Sequence, residues 1–150
     1  MKVENGVFFE EMRWMLNQGL DARFTVSGNS MWPTLAHGRD QVVISPVAGK
    51  LKRGDVVLFC PMEGKYLLHR IYRLRPRRIY TAGDGNCYRD GDFPQACVLG
   101  KVTKIVRKEK EFSCSGLWYR LRSRVWMGLY PVRPVLLKLL KKLASRRKKK

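Results

Sequence analysis

The chain has little that would let it cross a membrane or hold a structural metal ion. No stretch approaches the ~20 consecutive apolar residues that span a bilayer, and the most apolar candidate, residues 125–143, is interrupted by prolines and cations. Its four cysteines have neither zinc-ligand nor redox-motif spacing. The first 19 residues mix apolar side chains with charges and do not resemble a cleavable secretory signal. We therefore expect a cytoplasmic or peripherally membrane-associated protein, with reduced thiols and without a metal or cofactor.

Acidic residues are scarce in the last third of the chain. Residues 1–100 hold 14 Lys or Arg and 10 Asp or Glu, a net charge of +4. Residues 101–150 hold 17 Lys or Arg and only 2 Asp or Glu, a net charge of +15. Such a polycation is attracted to phosphates, in lipid headgroups or in nucleic acid. The composition is that of one globular domain, and the charge imbalance indicates that its two parts face different partners.

The spacing of apolar residues divides the chain into three parts. Residues 4–18 repeat apolar side chains at helical spacing, which predicts a short amphipathic helix within an N-terminal segment, 1–19. Short β-branched or alternating runs between turn residues then predict an antiparallel β domain over 20–112. Its predicted strands are residues 23–26, 41–44, 55–59, 66–71, 78–81 and 98–107. The predicted fold is therefore mainly β.

Residues 113–150 return to helical spacing. Apolar residues recur at every fourth position from Leu117 to Leu129, and a second apolar face follows Pro131 and Pro134. Basic faces interleaved with tryptophans are typical of helices that lie in a membrane interface. We therefore expect basic amphipathic helices that bind an anionic membrane. Nucleic acid is the less favoured partner, because binding by charge alone makes no use of the leucines and tryptophans.

A serine in a turn is the first candidate for chemistry. Ser30 lies in the turn 27–34, after a predicted strand. Free backbone N–H groups near Ser30 would stabilise an oxyanion, and a glycine close by lets a substrate approach the backbone. Serines in such turns are usually only turn formers. The candidate substrate-binding residues are Gly28, Asn29, Met31 and Trp32, although the last two would equally suit a hydrophobic core.

Two further positions supply a base and a carboxylate. His69 lies within an apolar predicted strand, and imidazole is the usual base for a serine nucleophile at neutral pH. Asp84 lies in the Gly-rich turn 83–86, and Asp90 follows that turn. Either carboxylate would orient His69 and stabilise its charged form. Taken singly, a core histidine and a turn-forming aspartate are the commoner interpretations.

Taken together and in order, four blocks of the sequence resemble the signal-peptidase/LexA-like serine protease superfamily. The blocks are Gly28-Asn29-Ser30-Met31-Trp32-Pro33, Gly54-Asp55-Val56-Val57, His69-Arg70 and Gly83-Asp84-Gly85-Asn86. The resemblance covers about residues 22–107 and implies a mostly β, LexA/signal-peptidase-like fold in which Ser30 attacks a peptide bond. A histidine at the base position is similar to the branch that includes the signal peptidase of the endoplasmic reticulum. Bacterial-type signal peptidases and LexA-type repressors have a lysine there.

The resemblance also implies roles for the neighbouring residues. In the histidine-type branch an aspartate after the G-D-N-N block assists the base, and Asp90 falls at the matching place. Asp84 is the second choice, either as that partner or as a structural turn residue. Some members carry a serine two residues before the nucleophile as an oxyanion donor, and here Gly28 replaces it, so the backbone N–H of Ser30 would serve. We expect a serine endopeptidase that cleaves a leader or signal-like peptide.

Two other functions are compatible with these residues. A non-catalytic peripheral membrane or nucleic-acid-binding module on the same fold would explain the +15 charge of residues 101–150. A self-cleaving regulator like the LexA-type repressors is disfavoured. Residues 4–18 are too short for a helix-turn-helix domain, which needs at least two packed helices, and the base position carries a histidine.

Overall fold

Residues 6–148 are described by a computed structural model, in which eight strands form an antiparallel sheet. The strands are β1 Ala22–Thr25, β2 Asp40–Ser45, β3 Val56–Met62, β4 Lys65–Arg75, β5 Arg78–Ala82, β6 Gly91–Pro94, β7 Val98–Arg107 and β8 Lys110–Ser113. The helices are α1 Gly6–Asn17, α2 Leu117–Gly128 and α3 Arg133–Lys148, with short 3₁₀ turns at Gln95–Cys97 and Tyr130–Val132. The prediction of a mainly β fold with an N-terminal helix and C-terminal helices is confirmed.

The strands follow the order β1-β2-β7-β3-β4-β5-β6, and β8 pairs with β7. The beginning of β7 pairs with β3 and its later part with β2 and β8, so this strand joins the halves of the sheet. The sequence analysis did not predict β6 or β8. β6 contains Gly91 and Pro94, residues that argue against a strand and are tolerated here because β6 lies at a sheet edge. The predicted helix 4–18 is present as α1, while its first two residues lie outside the described part of the chain.

Two hydrophobic clusters lie on opposite faces of β3, because successive side chains of a strand point to opposite sides. The first, which α1 helps to form, includes Phe9, Met12, Leu16, Val56 and Leu58. The second comprises Val57, Phe59, Ile71 and Ile79. Phe9 also stacks on Tyr66 of β4, with ring centroids 4.2 Å apart. β3 is therefore shielded from water on both faces, and it holds the neighbouring strand β4 in a fixed register.

α2 and α3 follow the predicted helical segments, but the apolar stripe of α2 is not the face that packs. Ser123 and Met127 are the buried residues of α2, whereas Leu117 is 83% exposed. Pro134 does not interrupt α3 but lies in its first turn, where a proline has no hydrogen-bonded N–H to lose. Within residues 6–148, no helix combines the length and the hydropathy needed to cross a membrane.

A buried carboxylate, Asp40 at the start of β2, makes the stability of the fold depend on pH. Burial by itself would raise the pKa of Asp40, but hydrogen bonds from Arg107, Arg39 and the backbone of Ala36 outweigh it and lower the pKa from 3.8 to about 2. Because the pKa of Asp40 is lower in the folded than in the unfolded state, the ionised carboxylate stabilises the fold at pH values above its unfolded-state pKa. That stability is lost as the pH falls toward 2. We expect the loss of this one interaction to lower the free energy of unfolding by about 2 kcal/mol between neutral pH and about pH 2.

Urea unfolding at a series of pH values checks this expectation. The wild type and Asp40→Asn should differ by about 2 kcal/mol near pH 7 and converge as the pH falls from ~4 to ~2. A constant difference across that range would contradict the assignment of the acid sensitivity to Asp40.

Candidate active site

β4 places two neighbouring polar residues on opposite faces of the sheet. His69 and Arg70 are both buried, with 3% and 1% of their surface exposed. His69 pairs with Val57 in the β3–β4 register and lies on the side of the second hydrophobic cluster. Since side chains alternate along a strand, Arg70 points to the other side. The two residues therefore belong to two separate polar networks.

The first network joins His69 to Asp90. Nδ1 of His69 lies 2.6 Å from Oδ2 of Asp90, and both side chains are more than nine-tenths buried. Thr81 of β5 donates a second hydrogen bond to the same oxygen at 2.8 Å, and the backbone N–H of Asp90 donates to the carbonyl of Thr81 at 2.9 Å. The carboxylate is therefore held from two sides. A carboxylate at Nδ1 favours the tautomer with the proton on Nδ1 and leaves Nε2 as the acceptor.

The other nitrogen of His69 has no hydrogen-bond partner within residues 6–148. Nε2 is buried, and Ser30 Oγ does not bond to it in this conformation. An unsatisfied buried polar atom costs about 1–3 kcal/mol, and such atoms call for an explanation when a native fold retains them. The imidazole is therefore oriented by Asp90 while its second nitrogen stays free to accept a proton.

The Ser30 turn is locked against the turn 83–86 by close backbone contact. The carbonyl of Ser30 accepts a hydrogen bond from the N–H of Gly85 at 2.8 Å. A Cβ atom on Gly83 would lie 2.4 Å from the same carbonyl, and one on Gly85 would lie 2.4 Å from the carbonyl of Asn29. Only glycine fits at both positions. The block that carries Asp84 thus positions the block that carries the serine.

The candidate substrate-binding residues differ in their surroundings. Met31 is only 2% exposed and packs in the first hydrophobic cluster, so it lies in the core, one of the two interpretations left open for it. Trp32 is half-buried, Asn29 is exposed, and Gly28 has a positive φ of 85°. The backbone N–H of Ser30 donates to no residue within the described range. The oxyanion role predicted for this N–H therefore stays a prediction.

The second network surrounds Asp84 and does not include His69. Arg70 binds the Asp84 carboxylate through Nε and Nη2, the shortest distance being 2.7 Å, and both side chains are almost completely buried. Thr34, four residues after Ser30, donates to Oδ2 of Asp84 at 2.6 Å. Burial by itself would lower the pKa of Arg70, but the charge and hydrogen bonds of Asp84 raise it above its ordinary value. The contacts of Asp84 are thus those of a structural turn residue, one of the two roles considered for it.

The C-terminal helices pack against these same turns. Ser123 of α2 accepts a hydrogen bond from Arg70 at 2.9 Å, and Nε1 of Trp126 donates to the carbonyl of Asp84 at 3.2 Å. Arg133, at the start of α3, is completely buried and donates to the carbonyls of Gly83 and Asn86. The segment predicted as a helical tail therefore packs against the turn 83–86 and is hydrogen-bonded to its carbonyls.

Arg133 is a residue that the sequence analysis missed. Its guanidinium also lies between three aromatic rings, with centroids 4.8, 5.3 and 5.4 Å away, those of Tyr130, Trp126 and Tyr72. An arginine in a basic amphipathic segment normally faces water, so nothing local marks Arg133 as buried. Only its position between two prolines distinguishes it from its neighbours.

No three or more His, Cys, Asp or Glu side chains cluster as metal ligands in the part of the chain that the structure describes. Of the residues predicted for acyl chemistry, the structure joins His69 to Asp90, while within residues 6–148 no hydrogen bond joins Ser30 to His69. No protein-family model matches this chain, and no curated protein matches it either.

Proposed function

We propose that the chain is a serine endopeptidase with Ser30 as nucleophile, His69 as general base and Asp90 as the residue that orients the base. The observation that carries the proposal is a buried imidazole with one nitrogen 2.6 Å from a carboxylate and the other unpartnered within residues 6–148. A base needs an oriented ring and a free acceptor nitrogen, and the His69–Asp90 pair supports this part of a Ser-His-Asp site.

The proposed reaction follows from the protonation of His69. Nε2 takes the hydroxyl proton of Ser30 as Oγ attacks the scissile carbonyl, and the N–H of Ser30 stabilises the resulting oxyanion. Asp90 stabilises the imidazolium through Nδ1–H. Nε2–H then protonates the leaving amine, which leaves an acyl-enzyme ester on Ser30. Water, activated by the same base, hydrolyses that ester and restores the serine.

The hydrogen bond from Ser30 to Nε2 is proposed to form when substrate is bound. In enzymes without substrate, catalytic hydrogen bonds are often long and tighten only in the complex. The antiparallel sheet, the order of the four sequence blocks and the contact between the turns of Ser30 and Asp84 all support a LexA/signal-peptidase-like fold. By that resemblance, the substrate class is a leader or signal-like peptide.

A test of the proposal needs no known substrate. We expect the purified chain to cut a library of peptides of mixed sequence, with new termini identified by mass spectrometry. Ser30→Ala should yield none of these termini, because the hydroxyl of Ser30 is the nucleophile in the proposed reaction. The matched control is Ser27→Ala, which changes another serine of the same turn and should leave the cleavage pattern intact. Equal cleavage by wild type and Ser30→Ala would refute the proposal. Cleavage by neither would favour the non-catalytic membrane or nucleic-acid-binding module.

A further inference from the structure

The outward face of α2 and Phe112 of β8 form an exposed apolar surface, which we call the α2 surface. Leu117 and Trp118 are each 83% exposed, while Leu121, Val125 and Phe112 are 50%, 55% and 49% exposed. All five side chains line the same groove, so the surface is contiguous. Isolated exposed apolar residues are ordinary on a protein, whereas a contiguous apolar patch marks a binding site.

Positive charge accompanies the α2 surface, and negative charge is scarce beside it. Three exposed cations on the same helix lie between its apolar residues: Arg120, Arg122 and Arg124. Glu111 also lines the groove, but its carboxylate is paired with Lys104 at 3.3 Å, and the sequence has no Asp or Glu from residue 112 to residue 150. An apolar strip edged by cations complements a bilayer that has an anionic headgroup layer above a hydrocarbon interior.

We propose that the α2 surface docks the protein on an anionic lipid bilayer. Leu117 and Trp118 enter the interface, and the arginines of α2 lie at the level of the headgroups. A second copy of the chain is a poorer occupant, because two such helices would bring their arginines together, while Glu111 beside them is already paired with Lys104. Nucleic acid would satisfy the arginines but would leave the apolar side chains in water.

Docking through α2 would also set the position of the candidate active site. The buried side of the same helix is joined to that site by the bonds from Arg70 to Ser123 and from Trp126 to the carbonyl of Asp84. A bilayer on one face of α2 would therefore hold the site at a fixed distance from the lipid. This consequence rests on the proposed function, whereas the docking itself does not.

Vesicle cosedimentation of the full chain tests the docking. We expect the protein to pellet with vesicles of phosphatidylcholine and phosphatidylglycerol and to stay in solution with phosphatidylcholine alone. Trp118→Glu should weaken binding at least about tenfold, because it replaces buried apolar area by a charge near anionic lipid. The matched control is Trp14→Glu on α1, a 61% exposed tryptophan outside the α2 surface. After allowance for the loss of vesicle affinity that one added negative charge causes, the affinity of Trp14→Glu should be within about twofold of the wild type.

Charge removal and competing partners complete the test. Changing Arg120, Arg122 and Arg124 to Gln should weaken anionic-vesicle binding by about fivefold for each charge, and thermal melts of all variants should match the wild type. Equal binding to neutral and anionic vesicles, or to neither, would overturn the proposal. Unchanged vesicle binding by Trp118→Glu would also overturn it. So would tight binding to RNA but not to vesicles, if Trp118→Glu left the RNA binding intact. A dimer of the wild type that Trp118→Glu dissociates would show instead that the surface binds a second copy. Peptide cleavage measured without vesicles reports on the protease proposal separately.

Discussion

Asp90→Asn is expected to lower kcat for a peptide that the wild type cleaves by about 10⁴-fold, the effect typical of this change in a Ser-His-Asp triad. The carboxylate accepts a hydrogen bond from Nδ1–H of His69, with Nδ1 and Oδ2 2.6 Å apart. An asparagine amide can instead donate to Nδ1, which transfers the ring proton to Nε2 and removes the acceptor that Ser30 needs. KM should change little, since Asp90 acts through His69 and is not proposed to touch the substrate.

A neighbouring aspartate serves as control for this measurement. Asp92 lies two residues further along, is 41% exposed and pairs with Arg78 at the surface, so Asp92→Asn should keep kcat within about twofold. Steady-state kinetics of the three proteins, with thermal melts to show that all are folded, decide the question. If Asp90→Asn retained wild-type kcat while Ser30→Ala was inactive, Asp90 would not be the orienting residue.

Arg70→Met should destabilise the fold by about 3–5 kcal/mol, the usual cost of leaving one member of a buried ion pair without its partner. The side chains of Arg70 and Asp84 are 1% and 0% exposed, and their closest atoms are 2.7 Å apart. Removing the guanidinium leaves the carboxylate of Asp84 buried, with Thr34 as its one remaining side-chain donor within residues 6–148. It also removes the bonds that Arg70 makes to Gly54 and Ser123.

The surface pair Arg78–Asp92 provides the matched comparison. It has the same residue types and a 2.8 Å separation, but its side chains are 43% and 41% exposed. Arg78→Met should therefore cost no more than about 1 kcal/mol. Equilibrium unfolding in urea measures both changes. The double variant Arg70→Met with Asp84→Leu should recover much of the loss, because no charge is then left unpaired. Equal costs at the buried and exposed pairs would show that burial does not govern the Arg70–Asp84 interaction.

Matched Asn substitutions separate the two aspartates that the sequence offered as partners of His69. Asp84→Asn should reduce stability, because Asp84 holds Arg70 and Thr34 and does not contact His69. Asp90→Asn should reduce turnover while stability changes little. The resemblance favoured Asp90 as the partner of His69 because of its place after the turn 83–86. The structure distinguishes the two carboxylates by the short distance between Nδ1 of His69 and Oδ2 of Asp90.

Local pattern was sufficient for most of the elements and insufficient for a few. The apolar spacing of residues 4–18 predicted α1, and the alternating runs predicted six of the strands, because burial on one face leaves a periodic signature. β6 and β8 are short, and most of their residues are exposed. They therefore leave no such signature, and β6 also contains a glycine and a proline. Their strand geometry comes from the neighbours β5 and β7 with which they pair.

By itself the sequence determined a mainly β domain between amphipathic helices, a concentration of positive charge in its last third, and the residues Ser30 and His69 as candidates for acyl chemistry. Periodicity, charge and residue type are local properties, so they can be read without a fold. The tertiary structure was needed to show that the side chains of His69 and Arg70 lie on opposite faces of β4. It was also needed to show that Asp90 hydrogen-bonds to His69, whereas Asp84 hydrogen-bonds to Arg70. It alone placed Arg133 inside the protein. Those outcomes depend on which chain segments meet across the sheet, and sequence spacing carries no record of contacts between residues 14 to 53 positions apart.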